Sequence, residues 1–430
     1  MNPPPVLLSD SLLALAFALL LLAPLAVAGL VLTNVGLGRS RSAAQAVLGN
    51  LALVAVALVL FLLLGSAWAQ SSTPGIGWIV TVAGKPWALA GAGPLWGASF
   101  GATPLQSQLT LLFETIAVAL CVLLPWGSGA DRVGLLPGCA LAALIAVVFF
   151  PLAAFWTLGG GWLAALGTNF HLAAGFLDPG AAASVHVLGG VAALAVVWIA
   201  GPRRGKFPKE GFSTAMPGHN TVYVLFGCLL ALIGWQAFNA AGALLWRHAP
   251  LASLPLVAIN TALSASVALA ATFAVTRTRF GKPDASLCAN GWMAGLVSSS
   301  ATAAVVSPVV AVFVGLVAGV ATPLLVELFE LALSIDDPSG AVGVHALSGL
   351  WGLLAAGMFS PAQGQFVAQL VGIAALLGFF LPALYFSVLA VNRFLPLRVD
   401  ADGERMGLDL HELGGSAYPE FVMHRDESFR

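Results

Sequence analysis

Eleven runs of mostly apolar residues fill the chain from residue 11 to residue 394. Each is about the 20 residues that an α-helix needs to cross a bilayer. They cover 11–34, 43–65, 108–126, 134–157, 182–201, 220–242, 251–276, 285–302, 304–330, 341–360 and 364–394. Only Ser298-Ser299-Ser300 punctuates the chain between the eighth and the ninth. The runs are too long, and alternate too little, to be outer-membrane strands. The expected fold is therefore an all-α polytopic membrane protein embedded in a lipid bilayer. Composition leaves no other class open. Charged residues make up 8% of the chain, against roughly 25% in a soluble domain. That is too few to cover a water-facing surface, and the 59% apolar content is foreign to a disordered chain. With 17 Lys and Arg against 18 Asp and Glu, no basic excess exists to bind nucleic acid.

The opening Met1-Asn2-Pro3-Pro4-Pro5 lacks the basic segment of a signal peptide, so the first run reads as a retained span. Basic residues orient the spans. Fifteen of the 17 fall after odd-numbered spans or at and beyond the end of the last, leaving only Lys85 and Arg247 on the other side. The positive-inside rule puts the C-terminus in the cytoplasm of a cell-membrane protein and the N-terminus outside. Residues 1–395 then form the membrane domain and 396–430 a cytoplasmic tail. The loop 66–107 is extracellular and rich in Gly, Pro and Trp. Cys121, Cys139, Cys228 and Cys288 are widely spaced without a CxxC, so neither a disulfide framework nor a zinc site is indicated.

The chain repeats itself once. Residues 185–194 and 344–353 both fit V-H-x-L-x-G-x-x-x-L, and an Asp precedes each His by eight residues, at Asp178 and Asp337. The copies lie in spans five and ten, which enter the membrane from opposite sides. This is the signature of an inverted repeat, here spans 1–5 against 6–10, followed by a long eleventh helix. Such folds hold their site at the midplane between the halves, where His186 and His345 would meet. An imidazole both donates and accepts and can handle protons near neutrality, so a pair can relay one. Each aspartate sits at a span entrance, where capping of orphan N–H groups is the better reading. Asp178 is also a candidate for electrostatic support of a cation path.

At these residues the chain resembles the ammonium transporter (Amt/Rh) family over nearly its whole length. Asp178 and His186, followed by Gly201-Pro202-Arg203-Arg204-Gly205, resemble the family's fifth-span motif and basic loop. Trp235, Phe238 and Asn239 lie in Gly234-Trp235-Gln236-Ala237-Phe238-Asn239-Ala240, similar to the sixth-span GWFGFNAG, and Lys282-Pro283 opens the eighth span. Asp336-Asp337-Pro338 with Gly343-Val344-His345 resembles the tenth-span signature, and residues 407–418 resemble the family's cytoplasmic ending. The resemblance implies eleven helices per subunit, a homotrimer, and a narrow apolar pore in each subunit that passes ammonium or ammonia along the twin histidines. It also implies docking of a PII-type signal protein at the cytoplasmic face, on Arg203–Lys209, Arg277–Lys282 and the tail 398–418.

The family's outer gate and cation cage are altered here. Phe238 matches one of two gate rings, while the other aligns with Ala117, with Phe113 matching the family's third-span Phe. The cage Trp aligns with Leu158, before Gly159-Gly160-Gly161, and the cage Ser with Gly242; an acidic tenth-span residue aligns with Gly340. Glu114 stands where the family has Gln. It reads either as a compensating vestibule carboxylate or as a structural Glu paired with a loop or a neighbouring subunit. Trp156 and Trp162 read as interface anchors rather than cage walls. The leading expectation is an ammonium/ammonia channel-transporter. The alternatives are an ammonium sensor or Rhesus-like neutral-gas channel, and an unrelated proton-coupled transporter. No HExxH or nucleophile motif points to an enzyme, and no cofactor is expected.

Overall fold

The computed structural model describes residues 7–69, 77–93, 95, 104–210 and 213–419. The opening Met1–Pro5 and the tail end 420–430 lie outside the described residues. Among the described residues, nine helical segments are long and apolar enough to cross a membrane: Asp10–Leu37, Ser40–Ala69, Leu105–Ser128, Leu135–Thr157, Ala182–Ala200, Thr221–Arg247, Leu251–Phe280, Pro308–Leu331 and Gln365–Phe394. Two more, Ala285–Thr302 and Val342–Met358, are shorter and fall on the eighth and tenth expected spans. Every expected span thus has its helix. The third and fifth are the most buried of the nine and the eleventh the least, so the core lies between the two repeats and the last helix wraps its outside.

The break between the eighth and ninth spans is not at the serine triplet. Ser298, Ser299 and Ser300 stay helical, because hydroxyls in a helix satisfy themselves on preceding carbonyls. Ser298 donates to the Ala294 carbonyl at 2.9 Å and Ser299 to that of Leu296 at 2.6 Å. The turn comes at residues 303–307, where the Ser307 hydroxyl caps the next helix and Pro308 opens it.

The loop between spans two and three contains a hairpin, β1 (Gly77–Val82) paired antiparallel with β2 (Lys85–Gly91). Ala83 and Gly84 turn it with φ of 51° and 73°, the positive pair that a tight two-residue hairpin turn demands. Trp156 and Trp162 hold this hairpin. The Trp156 indole donates to the Leu89 carbonyl at 2.6 Å. The Trp162 backbone donates to the Ala88 carbonyl at 3.0 Å, and its ring stacks on Trp87 with centroids 4.8 Å apart.

At the opposite end the tail docks on its own subunit. Gly134 donates to the Leu397 carbonyl and Val399 to that of Arg132. Asp409 accepts the N–H groups of Ala44 and Gln45, and Glu412 that of Leu135. These carboxylates cap the opening turns of the second and fourth spans, whose own N-cap residues supply no side-chain bond. Glu404 takes the Arg204 N–H and binds the Arg398 guanidinium. These contacts fasten the tail to the loops of its own chain.

Candidate functional site

The two repeat motifs fold alike. Each His lies in a π-helical turn, Ala182–Val187 and Val342–Leu347. Such turns are rare and concentrate at functional sites. Each Asp closes its turn from five residues upstream. The Asp178 carboxylate accepts the Ala183 N–H at 3.0 Å, and Asp337 accepts that of Val342 at 2.8 Å. The Asp–His spacing seen in the sequence is thus the length of one capped, widened turn. The motif's shared glycine follows each His by four residues. A Cβ on Gly190 would meet Ala346, and one on Gly349 would meet Val187 and the His186 Cβ. The two helices therefore cross at the histidines, each glycine admitting the residue after the opposite His.

At the crossing, the Nδ1 atoms of His186 and His345 are 3.3 Å apart, and both side chains are buried. One proton between two ring nitrogens fits that separation. The Trp235 ring lies flat on His186, with centroids 5.1 Å apart and planes 13° apart. Its indole donates to Ser300 at 3.0 Å, which fixes the stack.

One turn toward the hairpin end, Phe238 stacks on Phe113 at 4.1 Å and 13°. The ring opposite Phe238 therefore comes from residue 113, and Ala117 is a small buried neighbour of the third span. Trp246 meets Phe113 edge-on at 5.9 Å. It lies beyond both the motifs and the 220–242 span read from the sequence, on the last turn of a helix that runs on to Arg247. Leu158 is half-buried where the fourth span ends. Glu114 is fully buried, which corrects its reading as an open vestibule charge. Asn239 donates to Thr261 at 3.0 Å and Ser299 at 3.1 Å. It ties spans six, seven and eight together and is not among the ring contacts of the His pair.

Toward the tail end a cavity of about 10 Å³ touches His345, with Leu30, Asn34, Val224 and Met293 among its walls. Beyond it opens a vestibule of about 700 Å³ lined by Met216, Arg279, Asn290 and Glu330 among others. Its rim is braced by a buried ion cluster. Arg203 grips Asp336 with two side-chain bonds of 2.8 and 2.9 Å and reaches Asp131 at 3.1 Å, while Arg132 stands 3.8 Å from Asp336. Burial pushes the Asp336 carboxyl up, but the bonds and charge of Arg203 and the charge of Arg132 outweigh it and hold the group below its ordinary value. Lys206 pairs with Glu330 at 2.7 Å. Arg203 and Lys206 are thus inward-turned, and of the expected docking loop Arg204 and Lys209 remain exposed.

An inverted repeat of membrane helices, with a buried imidazole pair at its crossing and apolar rings on one side, defines a channel-like transporter fold. A model of the Ammonium Transporter Family matches residues 12–418, and the chain belongs to that family. Ammonium transporter Amt2 of Archaeoglobus fulgidus is 31% identical over 421 residues, covering 93% of this chain and 86% of the relative. Ammonium transporter Amt2 of Haloferax mediterranei is 31% identical over 413 residues, covering 92% and 87%. Solved structures share the fold. A sensor Amt protein matches with a TM-score of 0.84 at 24% identity, over 93% of this chain and 98% of that one. Mep2 of Candida albicans matches at 0.76 and 22%, over 96% and 91%. Rh50 of Nitrosomonas europaea matches at 0.70 and 21%, over 96% and 95%. The protein is a multi-pass membrane protein of a family of channels and transporters, not an enzyme.

Proposed function

We propose that the protein passes ammonium or ammonia across the cell membrane, through an apolar pore in each subunit with His186 and His345 as its relay. The supporting observation is the 3.3 Å contact between their Nδ1 atoms inside an otherwise apolar crossing. A bare cation at that depth would cost several kcal/mol or more. A neutral molecule that hydrogen-bonds to imidazole avoids this cost, and the shared proton can follow along the pair. Phe113 and Phe238, closed on each other at 4.1 Å, exclude water and larger cations on the hairpin side. Trp235 orients His186. Asp178 serves as a turn cap, and Asn239 as a brace behind the rings.

In this reading three copies assemble, the N-terminus is outside and the tail is cytoplasmic. A PII-type signal protein would dock on exposed Arg204, Lys209, Arg277 and Lys282 and on the tail. Leu158 and Gly242, which stand where the family's cage residues are expected, favour the second reading of a sensor or neutral-gas channel. Currents from the purified protein in liposomes under ammonium pulses decide between the two. Sustained, saturable current supports transport. Uptake of ammonia without current supports the gas channel, and tight binding without either supports the sensor.

A further inference from the structure

Asn290 stands where two cavities meet. It lines the vestibule of about 700 Å³ and also the cavity of about 10 Å³ that touches His345. Leu37 is the one other residue common to both linings. One apolar side chain and one carboxamide thus face both cavities.

The amide is built into this place. Its residue is only 9% exposed, yet no hydrogen bond joins its side chain to another described residue. A carboxamide brings two donors and an acceptor oxygen, and here they are left to whatever occupies the two cavities. The other polar side chains of the small cavity are engaged. Thr33 donates to the Leu30 carbonyl at 2.8 Å, Asn34 to the Leu123 carbonyl at 3.0 Å, and Ser339 pairs with Ser128 at 3.2 Å. His345 turns its Nδ1 to His186. The backbone also makes room for Asn290. Gly340 has φ +69°, and a Cβ there would stand 2.9 Å from the Asn290 Nδ2.

A cavity of about 10 Å³ has room for about one molecule of water's size. A molecule leaving His345 toward the vestibule must pass the amide, and Leu37 offers it no hydrogen bond. We propose that Asn290 contacts the substrate at this exit and sets the rate at which it leaves the histidine pair. The Nδ2 hydrogens can meet the lone pair of ammonia, and Oδ1 can accept from ammonia or ammonium. Because the amide does not titrate, the contact holds whichever species emerges. The inference rests on the transport reading above.

The test uses the full-length protein in liposomes, with ammonium-pulse currents measured for wild type, Asn290→Leu, Asn290→Ser and Asn290→Ala. Leucine keeps the four side-chain heavy atoms and removes the polarity; serine loses volume and keeps a donor and an acceptor. The smaller apolar Asn290→Ala, expected to be slow like leucine, excludes bulk as the cause. The leucine variant should lose roughly three- to tenfold in maximal rate, the worth of one hydrogen bond. Serine should recover most of the rate, and half-saturation should stay put. Melting temperature and elution profile, unchanged in all three variants, separate this from misfolding. A leucine or alanine variant as fast as wild type overturns the inference and leaves the transport reading standing, as does a folded serine variant as slow as leucine. Wild type without current or uptake removes the transport reading, and this inference falls with it.

Discussion

Gly190 lies against Ala346, so close that a Cβ on Gly190 would stand 2.5 Å from the Ala346 backbone nitrogen. The reciprocal contact, Gly349 on Val187 and the His186 Cβ, is looser at 3.0 to 3.4 Å and meets mainly side chain. The glycines share a motif position but not a tolerance. Gly190→Ala should cost about 1–3 kcal/mol through forced displacement of backbone. Gly349→Ala should cost less, since a valine methyl can shift. Thermal melting of the two variants in one detergent gives the order; a more damaging Gly349→Ala would mean that the crossing is not packed as described.

Serine at 242, the residue that the resemblance expects there, should not improve this protein. A Cβ on Gly242 would collide with the Pro179 carbonyl and stand 3.1 Å from the Phe113 ring. Gly242→Ser is therefore expected to lower the melting temperature and disturb the Phe113–Phe238 stack. Leu158→Trp, at a half-buried position where the fourth span ends, should be tolerated. A stable Gly242→Ser variant with tighter half-saturation for ammonium would contradict the geometry.

Asp336 holds the rim of the vestibule at the tail end. Asp336→Asn leaves Arg203 and Arg132 buried with less countercharge, a loss of ~3–5 kcal/mol for breaking a buried pair. The sign of the pH effect follows from its depressed pKa. The stabilisation is fully present above about 3.9, the ordinary carboxylate value, and is lost as pH falls through the lower folded value. Wild type should therefore melt earlier as pH drops below about 4. Asp336→Asn should start lower and lose part of that dependence, as melting from pH 7 downward would reveal.

The tail is a brace rather than an appendage. Asp409 and Glu412 cap two spans from a distance, and Glu404 holds Arg204 and Arg398. Truncation after Pro396 should spare membrane insertion but loosen the inner loops and impair transport. Hydrogen exchange at the amides of Ala44, Gln45 and Leu135 should rise in the truncated protein. Unchanged protection there, with full transport, would make the docking incidental.

The spans were legible because the bilayer leaves few alternatives: a long apolar run must be a helix. The His pair was legible because an ionisable group in such a run, repeated inside a matched motif, has few structural excuses. Packing was not. The resemblance points to position 117, an alanine, opposite Phe238, while Phe113 lies on the same face of the third span; the crossing geometry brings its ring onto Phe238. The hairpin escaped notice because β1 and β2 are short and its anchors, Trp156 and Trp162, lie more than 60 positions away in sequence. Asn290 could have been found by the reasoning applied to the histidines, as a polar side chain within an apolar span, but a single amide carries less surprise than an imidazole.

The most direct test is of the pair itself. Ammonium-pulse currents should be compared between wild type and a variant carrying both His186→Ala and His345→Ala, in liposomes of matched protein content. With the buried relay gone, ammonium current should vanish or lose its selectivity over potassium. A double variant that carries ammonium at the wild-type rate, and still excludes potassium, would show that the two imidazoles at 3.3 Å are not the path.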